Sequence, residues 1–316
     1  MDSVKLIRWQ APMVRVLVAL IPLIVSAVYF FGWRVIVMLA AVNLAGFAVE
    51  YAFTRQWKEP VSSAVFVSGC LFTLSLPPTL PIWMCMVGIV FGILFGKMVF
   101  GGFGRNVFNP ALTGRAFLYV GFANTMTSMW AEPVAGSLGG LGRYASDAIT
   151  QATPGMLLKT GAHFPISDLF FGNIAGTIGG TSALWAIAGG VYILWTKAAN
   201  YRIVVSGLLG FLILQSALWL AGVKGAADPV RAMLGGSFVV GIFFYATDPV
   251  SASQTHIGRW LYGAFIGALS CLIACYSTWP AGTMFAILLA NMFAPITDHV
   301  IKSLGRPASA APRPEE

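Results

Sequence analysis

The chain carries little charge. Only 9% of its 316 residues are Asp, Glu, Lys or Arg, whereas water-soluble domains contain about a quarter of such residues. Hydrophobic residues make up 58% of the chain, and the mean hydropathy is +0.80. This composition excludes a water-soluble globular domain and indicates an integral membrane protein.

The basic residues form no cluster, although the formal net charge is +8. The 19 lysines and arginines stand singly between apolar segments, whereas a surface that binds nucleic acid gathers them on one element. We therefore predict no nucleic-acid partner and expect membrane lipid around the protein. The scattered cations are interpreted as topology signals.

Cysteine is scarce, with four residues that all lie in apolar stretches. They show neither a disulfide framework nor iron–sulfur spacing. Cys271 and Cys275 would share one helical face, so a metal or redox pair stays open beside the simpler interpretation as buried small hydrophobes. No strand followed by a glycine fingerprint is present, so the sequence predicts no dinucleotide-binding fold.

Long apolar runs are abundant, and a spanning helix needs about 20 such residues. We predict an all-α integral membrane fold with ten transmembrane helices. No small-residue cleavage pattern follows the first run, which favours a retained helix over a signal peptide. The predicted spans are 14–32, 35–53, 61–77, 81–100, 107–122, 182–197, 203–222, 233–247, 259–277 and 281–300.

One long polar segment divides the spans into two groups of five. An odd number of spans in each half would invert the second copy in the membrane, and FTLSLPP at 72–78 resembles FFYATDP at 243–249. The general abundance of Gly and Pro in membrane helices is the alternative explanation. The predicted parts are a first repeat (1–122), a loop (123–180), a second repeat (181–302) and a disordered tail (303–316).

The cations predict an orientation. With a cytoplasmic N-terminus, six of the 19 lysines and arginines would lie outside and the remaining 13 inside, which agrees with the positive-inside rule. We therefore expect both termini in the cytoplasm and loop 123–180 on the opposite side of the membrane. The six are Arg34, Arg115, Arg143, Lys159, Lys224 and Arg231.

The loop contains the motif D-x-x-T-x-A-T, formed by Asp147, Thr150, Ala152 and Thr153. Average residue usage gives a chance match on the order of one in a hundred for a chain of this length. An Asx or ST turn is the alternative, with Asp147 and Thr150 capping a short helix and Pro154 stopping it.

Three further blocks accompany this motif: GKMVFGGFGRNVFNPALTGRAFLYVGF at 96–122, FFYATDPVSASQTH at 243–256 and AILLANMFAPITDH at 286–299. Together they resemble the membrane flavoprotein family that contains NqrB, from the Na⁺-translocating NADH:quinone oxidoreductase (Nqr), and RnfD, from the Rnf complex. The resemblance runs from the first helix to about residue 302.

The resemblance implies that FMN is attached to the hydroxyl of Thr153 through a phosphoester bond. A flavin transferase would read Asp147, Thr150 and Ala152. It also implies a second, noncovalent flavin such as riboflavin, and partner subunits of an Nqr or Rnf complex that include a second FMN-bearing subunit.

Gly101 and Gly102 permit a positive φ or a close approach of backbone to a flat ring. A second flavin or a quinone beside them and a compact helix-to-helix turn are both compatible with this spacing.

Acidic residues stand at the ends of apolar runs: Glu50, Asp248 and Asp298. A charge at the membrane centre costs about 2.5–3.5 kcal/mol on insertion scales, so such groups are usually paired or functional. Asp248 and Asp298 are candidates for an ion path. Asp248 could instead cap a half-helix together with Thr247 and Ser251.

These observations predict a subunit of a redox-driven Na⁺ or H⁺ pump that relays electrons and is not a complete enzyme alone. The short N-terminus and Met98, where NqrB proteins carry glutamate, favour RnfD of an Rnf-type ferredoxin:NAD⁺ oxidoreductase, whereas ATDPVSAS resembles NqrB. We predict RnfD, with NqrB as the alternative. A small-solute channel or transporter and a structural scaffold are the further alternatives.

Overall fold

The computed structural model describes residues 6–134, 136, 138–149, 154–277 and 282–304. The fold is predominantly helical, as predicted, with two small strand pairs: β1 (Ile7–Arg8) is parallel to β2 (Val61–Ser62), and β3 (Trp130–Ala131) is antiparallel to β4 (Ala148–Ile149). The helices are α1 (Ala11–Phe31), α2 (Arg34–Trp57), α3 (Ala64–Leu74), α4 (Ile82–Ile93), α5 (Pro110–Gly121), α6 (Ala123–Ser128), α7 (Pro154–Lys159), α8 (Ile166–Phe171), α9 (Ala183–Trp195), α10 (Tyr201–Leu220), α11 (Pro229–Leu234), α12 (Phe238–Val240), α13 (His256–Tyr276) and α14 (Gly282–Leu304).

Five helices, α1, α2, α10, α13 and α14, are long and apolar enough to cross a membrane. They coincide with five of the predicted spans and indicate a multi-pass membrane protein. The predicted number of ten is not confirmed. Helices α3, α5 and α9 have only 11, 12 and 13 residues, and α4 has 12 residues before the π-helical turn Leu94–Met98. Predicted span 233–247 is divided between α11, α12 and the π-helical turn Gly241–Tyr245.

Helix α1 shows how the bundle meets its surroundings. Val14, Ile21 and Val25 lie on one face with 37%, 53% and 61% exposure, whereas Leu20 and Leu23 on the opposite face are buried. An apolar stripe of this kind would be costly in water. It is the surface that a lipid-facing helix requires.

Two short helical runs meet inside the bundle. Helix α3 has 11 residues, about 16 Å at 1.5 Å per residue, which is roughly half of a bilayer core about 30 Å thick. It stops before Pro77 and Pro78, which cannot continue a helix. The second run, 238–245, stops before Pro249. The Tyr245 hydroxyl donates to the Leu71 carbonyl at 2.7 Å and joins the two runs.

Glycines permit the closest helix contacts. A side chain at Gly267 of α13 would overlap the carbonyl of Gly207 on α10, and one at Gly114 of α5 would overlap the carbonyl of Gly88 on α4. Small residues let membrane helices approach without a hydrophobic driving force between them. These contacts fix the positions of the helices.

Some details differ from the sequence expectation. Arg115, expected in an outer segment, lies buried within α5, and Lys97 is buried as well, so neither is a loop cation that reports orientation. Helix α14 continues to Leu304, whereas the sequence predicts a disordered tail from residue 303. Residues 305–316 lie outside the described residues.

Candidate functional site

The loop motif lies only partly within the described chain. Asp147 is exposed and precedes β4, whose register pairs Trp130 with Ile149. Trp130 is buried and anchors this pair. Thr150, Ala152 and Thr153 lie outside the described residues, so their assigned roles remain predictions.

Helix α7 follows the motif directly. Pro154 is its first residue, so it begins a helix rather than stopping one, because a proline at the first helical position loses no hydrogen bond. Leu158 is buried, and Lys159 Nζ donates to the Ser277 carbonyl at 2.5 Å. The motif is thus joined to fixed structure on both sides.

A cavity lies where the glycine-rich turn, α3, α9 and the end of the second short run converge. We call it the Asp248 cavity. Its space, the open mouth included, is about 660 Å³. Its lining includes Met13, Val16, Ala64, Val67, Ser68, Leu71, Lys97, Phe103, Asn106, Asn109, Phe244, Thr247, Asp248 and Val250.

The cation of this cavity is already paired. Lys97 Nζ lies 2.6 Å from Glu50 Oε2, and both side chains are 2% exposed. Glu50 Oε1 accepts the Ser62 amide at 3.0 Å. Removing either partner would leave an uncompensated buried charge. Glu50, predicted as an intramembrane acid, is therefore neutralised by Lys97.

Asp248 is held by its own turn. Its carboxylate accepts from the Val250 amide at 3.2 Å and from the Ser251 hydroxyl at 2.9 Å. The Thr247 hydroxyl donates to the Phe243 carbonyl instead. Within the described part of the chain, Asp248 makes no salt bridge.

Asp298 has a different environment and does not line the Asp248 cavity. Its carboxylate accepts from the Ser253 hydroxyl at 2.6 Å, the Gln254 amide at 2.6 Å, and both the amide and hydroxyl of Thr255 at 3.0 and 2.6 Å. Thr255 is the N-cap of α13. Asp298 thus fastens α14 to the start of α13, and its assignment to an ion path remains a prediction.

The glycine pair forms a turn with positive φ, +99° at Gly101 and +92° at Gly102. A Cβ would lie 3.0 Å from the Arg105 guanidinium at the first and 3.2 Å from the Trp57 ring at the second. Neither glycine lines the Asp248 cavity, but the next residue, Phe103, does. The geometry is that of the compact turn, which presents Phe103 to the cavity; a ring against the glycines themselves remains a prediction.

Two buried asparagines, Asn109 and Asn291, were not predicted as site residues. Asn291 is fully buried; it accepts from the Asn109 amide at 3.3 Å and donates to the Tyr262 hydroxyl at 2.7 Å and the Ser251 carbonyl at 3.2 Å. It thereby joins α5, α13 and α14 beside Asp248. In the sequence each of them stands shortly before a proline, Pro110 or Pro295, and this was the available signal.

The two cysteines of α13 do share a face, as predicted. Cys271 Sγ lies 3.0 Å and Cys275 Sγ 3.6 Å from Gln215 Oε1 on α10, and both are buried free thiols. A metal or redox role for the pair remains a prediction.

Known proteins are similar to this chain over most of its length. The profile of the NQR2, RnfD, RnfE family matches residues 5–304. NqrB of the Na⁺-translocating NADH-quinone reductase of Ectopseudomonas mendocina is 41% identical over 261 residues, which cover 80% of this chain and 63% of that protein. NqrB of Haemophilus influenzae strain PittEE is 40% identical over 264 residues, which cover 80% of this chain and 62% of that protein.

The chain thus spans less than two thirds of the length of these relatives. Their names support the alternative, NqrB, better than the predicted RnfD. The profile match and these identities show that the chain belongs to the NQR2, RnfD, RnfE family.

Proposed function

We propose that this chain is the flavin-bearing membrane subunit of a redox-driven Na⁺ or H⁺ pump, of the kind named NqrB in its relatives. The observation that carries this proposal is the 41% identity over 261 residues to such a protein. Its partners would be the other subunits of the complex, including a second FMN-bearing subunit, and a flavin transferase during maturation.

Thr153 would hold FMN through a phosphoester to its hydroxyl. Asp147, the first residue of the motif, is exposed and therefore accessible to a modifying enzyme. FMN supplies reversible uptake and release of electrons when it is bound. A covalent link prevents its loss from a complex whose electron path depends on it.

The Asp248 cavity would hold the second, noncovalent flavin. Asn106 and Asn109 offer amide groups for a ring edge, and Phe103 and Phe244 offer apolar surface. The lysine in its lining, Lys97, is already paired with Glu50, so the cavity suits an uncharged ligand such as riboflavin better than a phosphate-bearing one.

Asp248 would bind the transported cation. Because Glu50 neutralises Lys97, the negative charge of Asp248 is available to balance Na⁺ or a proton. Extra negative charge in the same cavity would strengthen that binding. Such mutual strengthening is a coupling free energy between electron and cation sites.

Ten spans in two inverted repeats, with both termini in the cytoplasm and the Thr153 loop on the opposite side, belong to the same proposal. Support comes from the two short runs that meet between Tyr245 and Leu71, since discontinuous helices in corresponding positions are typical of inverted repeats.

The test is flavin attachment. The full chain, coexpressed with a flavin transferase, should fluoresce under ultraviolet light in a denaturing gel, and Thr153→Ala should remove the band. Thr160→Ala, an exposed threonine of the same loop, should retain it. A colourless protein that moves solute in liposomes would support a transporter. Unchanged electron flux in Thr153→Ala would support a scaffold.

A further inference from the structure

Two cations are buried in the described part of the chain, Lys97 at 2% exposure and Arg115 at 3%. Lys97 is paired with Glu50. Arg115 makes no salt bridge within the described residues, and its Nε has no hydrogen-bond partner there. Because a guanidinium is not deprotonated in proteins, Arg115 is a permanent positive charge inside the bundle.

Arg34 shows how an arginine of this fold is usually accommodated. It is only partly buried, and its guanidinium donates to the carbonyls of Pro78 and Leu80. A buried charge without such partners is among the most costly arrangements in a protein interior. Inside a membrane, an ionisable residue of this kind points to a function.

The surroundings of Arg115 hold its charge without neutralising it. The guanidinium lies over the Tyr119 ring, 5.5 Å from the ring centroid, a contact that attracts a cation but carries no opposite charge. The last turn of α3 lies beside it, since a Cβ on the neighbouring Gly114 would lie 3.2 Å from the Phe72 ring. The carbonyls of that turn already accept other donors, which are the hydroxyls of Tyr245 and Ser75 and the amide of Gly179.

Arg115 lies behind the inner end of the Asp248 cavity. The lining there includes Leu71 and Phe244, which are both buried. Tyr245 follows Phe244 directly, is bonded to Leu71 and is within electrostatic reach of Arg115. Helix α5 leaves the cavity at Asn109, and Arg115 lies about 9 Å further along it at 1.5 Å per residue. A cation that passes from the cavity through the bundle would therefore meet the guanidinium.

We propose that Arg115 is the positive barrier that stops the transported cation from leaking through the bundle beyond the Asp248 cavity. A fixed arginine charge can exclude protons and other cations from a membrane pore in this way. Passage requires negative charge that offsets the guanidinium, which the relayed electrons supply. This inference rests on the proposed cation site at Asp248.

The test is passive cation movement without an electron donor. Full chains are reconstituted in liposomes, and the entry of Na⁺ and of protons is followed with fluorescent indicators inside the vesicles. Arg115→Met removes the charge but keeps an apolar stem, and it should speed the entry of the transported cation by about tenfold or more. The entry of glycerol, an uncharged solute, should stay unchanged.

The matched control is Arg202→Met. Arg202 also lies over a tyrosine ring, 4.9 Å from the centroid of Tyr201, but it is partly exposed at the start of α10. This variant should leave the cation entry rates unchanged.

Three outcomes of this comparison would count against the account. Cation entry in Arg115→Met equal to that of the unsubstituted chain would overturn the inference. Equally faster entry of glycerol and cations would also overturn it, because a loosened bundle admits both. Absence of the fluorescent gel band in the unsubstituted chain would contradict the proposed function instead.

Arg115→Lys keeps the inference testable should Arg115→Met fail to fold. A lysine retains the positive charge but, unlike arginine, readily loses its proton when buried. Relative to the unsubstituted chain at the same pH, its cation entry should therefore rise between about pH 5 and 9. A ratio that does not change with pH would overturn the inference.

Discussion

Lys97 and Glu50 form an ion pair with a separation of 2.6 Å and 2% exposure of each side chain. Breaking a buried pair by removing one partner typically costs about 3–5 kcal/mol. Glu50→Gln should therefore lower the free energy of unfolding by about that amount in detergent, and the double variant Glu50→Gln/Lys97→Met should recover part of it.

The control for this prediction is Glu59→Gln, the same change at an exposed glutamate, which should alter stability by less than about 0.5 kcal/mol. Thermal unfolding of the four proteins gives the comparison. A double variant no more stable than Glu50→Gln would show that the two charges do not compensate each other.

Asp298 and Asp248 should respond differently to the loss of charge. Asp298→Asn disturbs the four hydrogen bonds that fasten α14 to the start of α13 and should cost about 1–3 kcal/mol of stability. Asp248→Asn should leave the thermal midpoint nearly unchanged but reduce the number of cations moved per electron in liposomes. The opposite pattern would assign the ion role to Asp298.

The turn at Gly102 should not tolerate a side chain. Gly102→Ala places an L-residue at φ +92°, a strain of about 1–3 kcal/mol, and brings its Cβ to 3.2 Å from Trp57. Gly121→Ala, at a position with open space around it, is the control. We expect a lower thermal midpoint only for Gly102→Ala; equal midpoints would show that the turn relaxes without cost.

Ser68→Leu should remove the second flavin. The added side chain fills part of the Asp248 cavity, so the flavin released on acid precipitation should fall several-fold while the fluorescent gel band at Thr153 persists. Undiminished release from Ser68→Leu would place the second flavin elsewhere.

Lys159 should make stability depend on alkaline pH. Burial lowers its pKa in the folded state from the ordinary 10.5, so the unfolded chain binds more protons and stability rises with pH. The unfavourable contribution is complete below the folded pKa and is relieved as the pH rises from there towards 10.5.

The measurement is the unfolding free energy across that window. The unsubstituted chain should gain stability relative to Lys159→Met as the pH rises, while Lys224→Met should follow the unsubstituted chain. Parallel curves for the unsubstituted chain and Lys159→Met would contradict a perturbed Lys159.

The local features of this fold could be predicted from the sequence. Apolar runs located the five long helices, and the glycines at 101 and 102 permit the positive φ that the turn adopts. Each of these depends on residues close together in the chain, so composition and spacing carry the information.

The contacts that build the site are long-range and had no such signal. Lys97 and Glu50 are 47 positions apart, and Asn109 and Asn291 are 182 apart. Arg115 is counted with the outer cations in the sequence, yet packing places it within α5 beside the Tyr119 ring. A full span is predicted over 61–77 from apolar length alone. That length does not show that α3 ends at Leu74, before Pro77 and Pro78.

The mass of the peptide that contains Thr153, isolated from the chain made together with a flavin transferase, is the most direct test for a covalently attached flavin. We expect this peptide to be heavier by one FMN less one water, with fragmentation that places the addition on Thr153. A peptide with only the mass of its amino acids, from a host that attaches flavin to other proteins, would contradict the account.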